Sequence, residues 1–199
     1  MLKRAFDIVF SAGWLIGFSP LLLVVAILVR LKLGSPVLFV QERPGLRAKP
    51  FRMVKFRTMT DERGPDGELL PDEQRLTPFG KFLRSTTLDE FPEMWNVLIG
   101  DMSVVGPRPL LMRYVSRYSP FQTRRMEVKP GVTGWAQVNG RNSLTWEEKF
   151  ALDVWYIDHR SFWLDMRIVV MTFFKVFARS GIEAANGGAV EEFWGNTKN

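Results

Sequence analysis

The run Ile8–Val29 constrains this chain more than any other stretch: 22 residues pass without a charged side chain. Such a run is long enough to cross a bilayer as one helix. Two features oppose a simple crossing. Ser19-Pro20 falls near its middle, where proline removes a helical hydrogen bond and breaks or kinks the helix. Basic residues stand on both sides, Lys3 and Arg4 before and Arg30 and Lys32 after, and positive flanks keep to the cytoplasmic side. Each half, 6–18 and 20–33, would be roughly 20 Å long as helix, enough for one leaflet. The pattern predicts a re-entrant helix-break-helix over 1–33, dipping into the inner leaflet with both ends in the cytoplasm. Backbone groups freed at the break need a partner, which the Ser19 hydroxyl can supply. Asp7 is unwelcome in lipid, but follows Arg4 and Lys3 by three and four residues, on the same helical face. A spanning anchor and a signal peptide are the competing readings, and the second lacks an A-x-A-like cleavage site.

The remaining residues, 34–199, read as one domain with a core of its own. No cysteine is present, which excludes thiol catalysis, disulfides and zinc–thiolate sites. The single histidine, His159, reads as a surface or helix-end residue. Acid–base and nucleophilic work therefore falls mainly to carboxylates. Lys and Arg outnumber Asp and Glu by 27 to 21, which suits a phosphorylated substrate, an anionic membrane or nucleic acid. Seven tryptophans and sixteen phenylalanines alongside basic charge lean towards a membrane interface.

The richest stretch is 84–109, RSTTLDEFPEMWNVLIGDMSVVGPRP. Asp89 and Glu90 are adjacent carboxylates at an expected helix start. Thr87 and Glu90 fit a capping box; Asp89 as the cap instead puts Pro92 in the first turn, where its missing N–H is harmless. Gly100 is a natural stop. Either register sets the pair at the positive end of a helix, where phosphate also binds. Capping alone would explain Glu90. Asp61-Glu62 and Asp72-Glu73 are similar pairs, but in a polar, Gly/Pro-punctuated run that reads as a solvated loop. Asp89-Glu90 lies instead among Leu88, Phe91, Met94 and Trp95, with Arg84 before it and Arg108 after it between two prolines.

Elsewhere, VLFVQERPG and PFRMVKFRTM predict two strands about a Pro44-Gly45 turn region. Lys55 and Arg57 share a face of the second by period two, either as a solvated face or lining a phosphate pocket. TPFGKFLR predicts an interfacial helix. LLMRYVSRY reads as basic helix, and Thr145 with Glu148 as a capping box opening another. PGVTGWAQVNGRN is either an ordinary Gly-rich loop or one that admits a phosphate close to backbone, with Arg141 to fork onto it. A last aromatic, basic helix is expected over 161–179. Its longest uncharged run, 168–174, is too short to span.

Seven motifs in order, KRAFD, Ser19-Pro20, QERPG, KFRTM, LRSTTLDE, NVLIGDMSVVGPRP and PGVTGWAQVNGRN, resemble the monotopic phosphoglycosyl transferases of the bacterial sugar transferase family. The resemblance covers nearly the whole chain. It is greatest to the small single-domain members that use diacetylbacillosamine phosphate. It implies an α/β fold: a re-entrant membrane helix, a small β-hairpin and amphipathic interfacial helices around one compact domain. It places the protein on the cytoplasmic face of the bacterial inner membrane, among phospholipids. The implied reaction moves a sugar 1-phosphate from a UDP-sugar to polyprenol (undecaprenyl) phosphate, with release of UMP. Asp89 matches the family's nucleophile and metal-bearing carboxylate, and Glu90 its partner. Lys55, Arg84, Arg108 and Arg141 match its basic pocket, Ser19-Pro20 its membrane break, and magnesium is the implied cofactor. Two other readings stand beside it. A hydrolase would pass an aspartyl-phosphate to water, and a basic membrane module would turn over nothing. Nucleic-acid binding is the weakest reading, since no known binding motif is present.

Overall fold

The computed structural model describes residues 1–140, 143–177 and 192–195. The chain opens with two helices, α1 (Leu2–Gly17) and α2 (Ser19–Leu33), bent by 62° at the predicted break. Pro20 sits in the first turn of α2, where it needs no N–H. The Ser19 hydroxyl donates to the Ile16 carbonyl at 2.7 Å, so the freed backbone finds the expected partner. No single helix among the described residues is long and apolar enough to cross a membrane. Together the bent pair has the length and composition for a broken span or a re-entrant loop.

Strands β1 (Leu38–Pro44) and β2 (Pro50–Phe56) form the predicted antiparallel hairpin, Leu38 opposite Phe56 and Pro44 opposite Pro50. The acidic Gly/Pro loop is largely exposed, with an isolated Arg63–Leu69 bridge and a short helix, α3 (Asp72–Arg75). Helix α4 (Pro78–Ser85) is capped by Thr77, whose hydroxyl accepts from the Gly80 amide at 3.0 Å. Helix α5 (Glu93–Ile99) stops at Gly100, whose φ of +98° lies in the left-handed region glycine tolerates. A second small sheet pairs β3 (Ser103–Val105) in parallel with β4 (Gly131–Thr133). The stretch expected as helix before Ser119 is a 3-10 helix, Met112–Arg117. Helices α6 (Pro120–Thr123) and α7 (Trp135–Asn139) are short. Helix α8 (Trp146–His159) has the predicted Thr145–Glu148 capping box and ends on the exposed His159. Helix α9 (Phe162–Phe177) follows. Its expected end near Arg179 lies outside the described residues. Phe193 packs with Tyr114 and Phe150 in a buried aromatic cluster.

One face of α1 is in the core, and polar side chains dock it there. The pairing of Asp7 with Lys3 and Arg4 predicted within the helix does not form. Asp7 is buried and its Oδ1 accepts from the Ser103 hydroxyl (3.0 Å) and the Val104 amide (2.9 Å). Arg4 donates to the carbonyls of Val97 (2.7 Å) and Leu98 (2.8 Å), serving the carbonyl end of α5. Lys3 donates to the Val105 carbonyl (2.9 Å) and Asp165 (2.6 Å), joining α1 to β3 and α9. The docked partners lie far away in sequence, so helical spacing could not reveal them. Asn96 does similar work for α5: its side chain accepts from the Val54 amide (3.0 Å) and donates to the Arg52 carbonyl (2.8 Å), completing the free edge of β2.

Asp7→Ala leaves a buried hydroxyl and a buried amide without their acceptor. It should destabilise the protein by about 2–4 kcal/mol. Denaturant unfolding in one fixed detergent measures this, and a loss under about 0.5 kcal/mol would show that α1 is not docked through Asp7.

Candidate active site

Lys55 is carried into the core by the alternation of β2, on the same face as Phe51 and Met53. Arg57 has left the strand and ties the segments before and after the hairpin, donating to the carbonyls of Ser35 (2.7 Å) and Met59 (2.8 Å). The two basic residues thus have different duties, and only Lys55 reaches the site.

Asp89 and Glu90 lie in a single 3-10 turn, Leu88–Glu90, and α5 begins after it. Neither predicted capping register is adopted. Thr87 caps nothing with its side chain and takes φ +57°, a left-handed conformation rare for a β-branched residue. Pro92, not Asp89, precedes the first residue of α5. The acidic pair is therefore not a helix cap.

The two carboxylates have opposite surroundings. Glu90 accepts from Lys55 Nζ at 2.8 Å and from both terminal nitrogens of Arg108, with Nη1 at 3.3 Å. Burial alone would raise the Glu90 carboxyl, but Arg108 and Lys55 outweigh it and hold it well below the usual carboxylate range. Lys55 also lies 2.9 Å from the buried Glu93. Asp89 is 8% exposed and, among the described residues, makes no hydrogen bond and no ion pair. Burial, with the charge of Glu90, pushes its carboxyl up to about 7 against the pull of Lys55, Arg84 and Arg108.

Arg84 is exposed on α4 and donates to the Thr58 hydroxyl at 3.1 Å. Of the predicted basic residues, Lys55 and Arg108 meet directly at Glu90, and Arg84 acts on Asp89 through its charge alone. Arg141 lies outside the described residues. The helix break is close by: the rings of Trp14 and Phe18 pack on Phe91, the residue after Glu90, at 4.9 and 5.5 Å between centroids. This joins Ser19-Pro20 to the acidic pair.

A buried, unpaired carboxylate beside a fully paired one, with arginines at the rim, is a setting for phosphate chemistry. The model of the family described as bacterial sugar transferase matches residues 1–179. The chain belongs to this family. A relative described as an uncharacterized sugar transferase, EpsL of Bacillus subtilis (strain 168), is 54% identical over 196 residues, covering 98% of this chain and 97% of the relative. The UDP-glucose:undecaprenyl-phosphate glucose-1-phosphate transferase of Klebsiella pneumoniae is 43% identical over 185 residues, covering 88% of this chain and 40% of the relative. Galactosyl transferase CpsE of Streptococcus agalactiae serotype III (strain NEM316) is 40% identical over 162 residues, 74% of this chain and 36% of its own. The chain thus spans about two-fifths of the length of these two longer members. Neither bears the diacetylbacillosamine label, so that narrower resemblance is not borne out by them.

For a metal ion, the donor set within the family's acidic pair is small. Glu90 is already held by two cations, which leaves Asp89 as the carboxylate open to one. The described residues contain no group of three or more acidic, histidine or cysteine side chains able to hold an ion alone. That fits magnesium, which typically takes one or two carboxylates and draws its other oxygens from substrate phosphates and water.

Sequence reasoning missed Glu93, Arg43, Arg125 and Asp153. Glu93 stands three residues after Glu90, a spacing that could have flagged it. Arg43 lies in QERPG, where its Nη1 reaches the Pro109 carbonyl at 3.4 Å. Arg125 and Asp153, joined by a buried ion pair of 2.7 Å, carried no local signal.

A carboxyl raised above its unfolded value stabilises the fold fully only below the unfolded pKa, and that contribution fades as pH rises through the folded pKa. For Asp89 the window runs from about 4 to about 7. Asp89→Asn is neutral throughout. Its stability advantage over the native protein should widen from pH 5 to pH 8, reaching about 1–3 kcal/mol. Unfolding of both proteins in chelator at the two pH values measures it; a constant or shrinking gap contradicts an unpaired, buried Asp89.

Proposed function

We propose that this protein transfers a sugar 1-phosphate from a UDP-sugar to a polyprenol phosphate and releases UMP, in two steps through an aspartyl phosphosugar on Asp89. What carries the reading is the asymmetry of the acidic pair. Glu90 is locked by Lys55 and Arg108, while Asp89 beside it has no partner among the described residues. A carboxylate nucleophile divides one difficult transfer into two easier ones. The names of the relatives supply the two substrates.

In the first step an Asp89 oxygen attacks the phosphorus that bears the sugar. The bond from that phosphorus to the bridging oxygen breaks, and UMP leaves with the electron pair. In the second, a phosphate oxygen of the polyprenol phosphate attacks the same phosphorus. The bond to Asp89 breaks and its carboxylate is restored. Arg108 keeps one edge on Glu90 while its side chain remains 38% exposed, so its outer edge can meet the donor's diphosphate. Arg84 is the second exposed cation, and Arg141 is assigned to the same pocket from the sequence. Lys55 is engaged by Glu90 and Glu93 and serves to anchor the pair. Magnesium bound at Asp89 and the donor phosphates would neutralise charge on the departing UMP.

The acceptor explains the first two helices. The α1–α2 pair exposes Val9, Ile16, Leu23, Ile27 and Leu31, side chains suited to lipid. We place it in the cytoplasmic leaflet as a re-entrant element with basic residues at both ends. The contact of Trp14 and Phe18 with Phe91 then keeps the acidic pair beside the layer that holds a lipid-linked phosphate.

UMP release from UDP-glucose, UDP-galactose and other UDP-sugars, with and without undecaprenyl phosphate, tests this. Without acceptor, UMP should appear once per enzyme and stop; with it, turnover should continue. Steady turnover without acceptor indicates a hydrolase instead. Arg108→Lys keeps the charge but loses the fork. It should slow single-turnover UMP release by about 1–3 kcal/mol of transition-state free energy. Discharge of a preformed adduct to polyprenol phosphate should hardly change. The reverse pattern would assign Arg108 to the lipid phosphate.

A further inference from the structure

Arg125 lies 17 residues beyond Arg108, outside every motif that carries the family resemblance. It occupies a 3-10 turn, Arg124–Met126, that meets the Pro107-Arg108-Pro109 segment at the Arg108 carbonyl. Its guanidinium is buried and aimed in three directions. Nε and Nη2 donate to Asp153 Oδ2 at 3.0 and 2.7 Å. Nη1 donates to the Tyr118 hydroxyl at 3.1 Å. Nη2 also donates to the main-chain carbonyl of Arg108 at 2.7 Å. The rings of Tyr118 and Phe150 lie 5.8 and 5.5 Å from its guanidinium carbon.

A buried ion pair is weak evidence for stability, because an apolar pair of similar volume often serves as well or better. This pair has a more specific geometry. The carbonyl it holds belongs to the residue whose side chain forks onto Glu90. The next carbonyl, of Pro109, is reached by Arg43. Two prolines fix φ on either side of Arg108, but they do not fix how far the segment stands from Glu90. A tertiary hold on its peptide groups does.

We propose that Arg125, seated by Asp153, is a positioning residue for the transfer: it holds the Arg108 peptide so that the Arg108 guanidinium keeps Glu90 paired and Asp89 bare. Arg125 touches no reacting atom, and its effect passes through Arg108. Lysine at this position keeps a charge for Asp153 but cannot reach Asp153, Tyr118 and the Arg108 carbonyl together.

This role presumes the transferase chemistry proposed above, so its test must separate two failures. The experiment is a double-mutant cycle of Arg125→Lys and Arg108→Lys on the full chain. The readout is the single-turnover rate of UMP release, divided by the burst amplitude to count active sites only. Arg125→Lys should slow release per active site by roughly ten- to a hundredfold. In the Arg108→Lys background the same change should add roughly twofold or less. A merely structural role would lower the burst amplitude and leave the rate per site alone. A native rate in Arg125→Lys, or effects that multiply across the cycle, overturns the proposal. Should Arg125→Lys fail to fold, the paired change Arg125→Met with Asp153→Leu removes both charges at once. It is expected to fold and to show the same slow release, and a native rate there overturns the proposal too. No UMP burst from the native enzyme defeats the transferase reading itself.

Discussion

The site depends on one carboxylate, Glu90, held between Lys55 and Arg108. Two adjacent acidic side chains in a mostly buried turn compete for the same cations. Whichever gains them stays ionised at little cost, and its neighbour then sits beside a fixed negative charge in a poorly solvated place. Here Glu90 gains both, and Asp89 is raised by burial and by Glu90 itself. The asymmetry within the pair follows: one member is a fixed part of the wall, the other is left without a cation of its own. An unpaired buried carboxylate is costly to a fold that has no use for it, which makes Asp89 a functional candidate on physical grounds.

That arrangement is held from two sides. On one, α1 is drawn into the core by Asp7, Arg4 and Lys3, and Asn96 closes the edge of β2 against α5. These contacts fix the distance between Lys55 and the turn that carries the pair. On the other, Arg108 is mounted between two prolines and gripped through its carbonyl by Arg125. The helix break, the hairpin and the Pro-Arg-Pro segment come from three separate parts of the chain and converge on Glu90 and Phe91.

Features governed by near neighbours were legible in the sequence. The bend at Ser19-Pro20, the hairpin, the stop at Gly100 and the capping box at Thr145 each rest on a few adjacent residues, and each is present. Features that depend on distant partners were not. Spacing along a helix suggested that Asp7 would pair with Lys3 and Arg4, but its acceptor role is to Ser103 and Val104. Capping rules suggested a helix beginning at Thr87 or Asp89; the left-handed Thr87 and the pull of Lys55 and Arg108 on Glu90 gave a 3-10 turn instead. The parallel pairing of β3 with β4 and the burial of Arg125 against Asp153 had no local signature. Lys55 and Arg108, named from the sequence, do meet at Glu90, while the choice of which carboxylate they serve was not legible there.

The most direct test is intact-mass analysis of the protein after incubation with UDP-sugar and Mg²⁺, without acceptor, followed by peptide mapping. The account predicts a gain of one sugar phosphate, confined to the peptide containing Asp89 and attached at Asp89, that disappears when polyprenol phosphate is added. UMP release with no adduct, or an adduct on Glu90 instead, would contradict it.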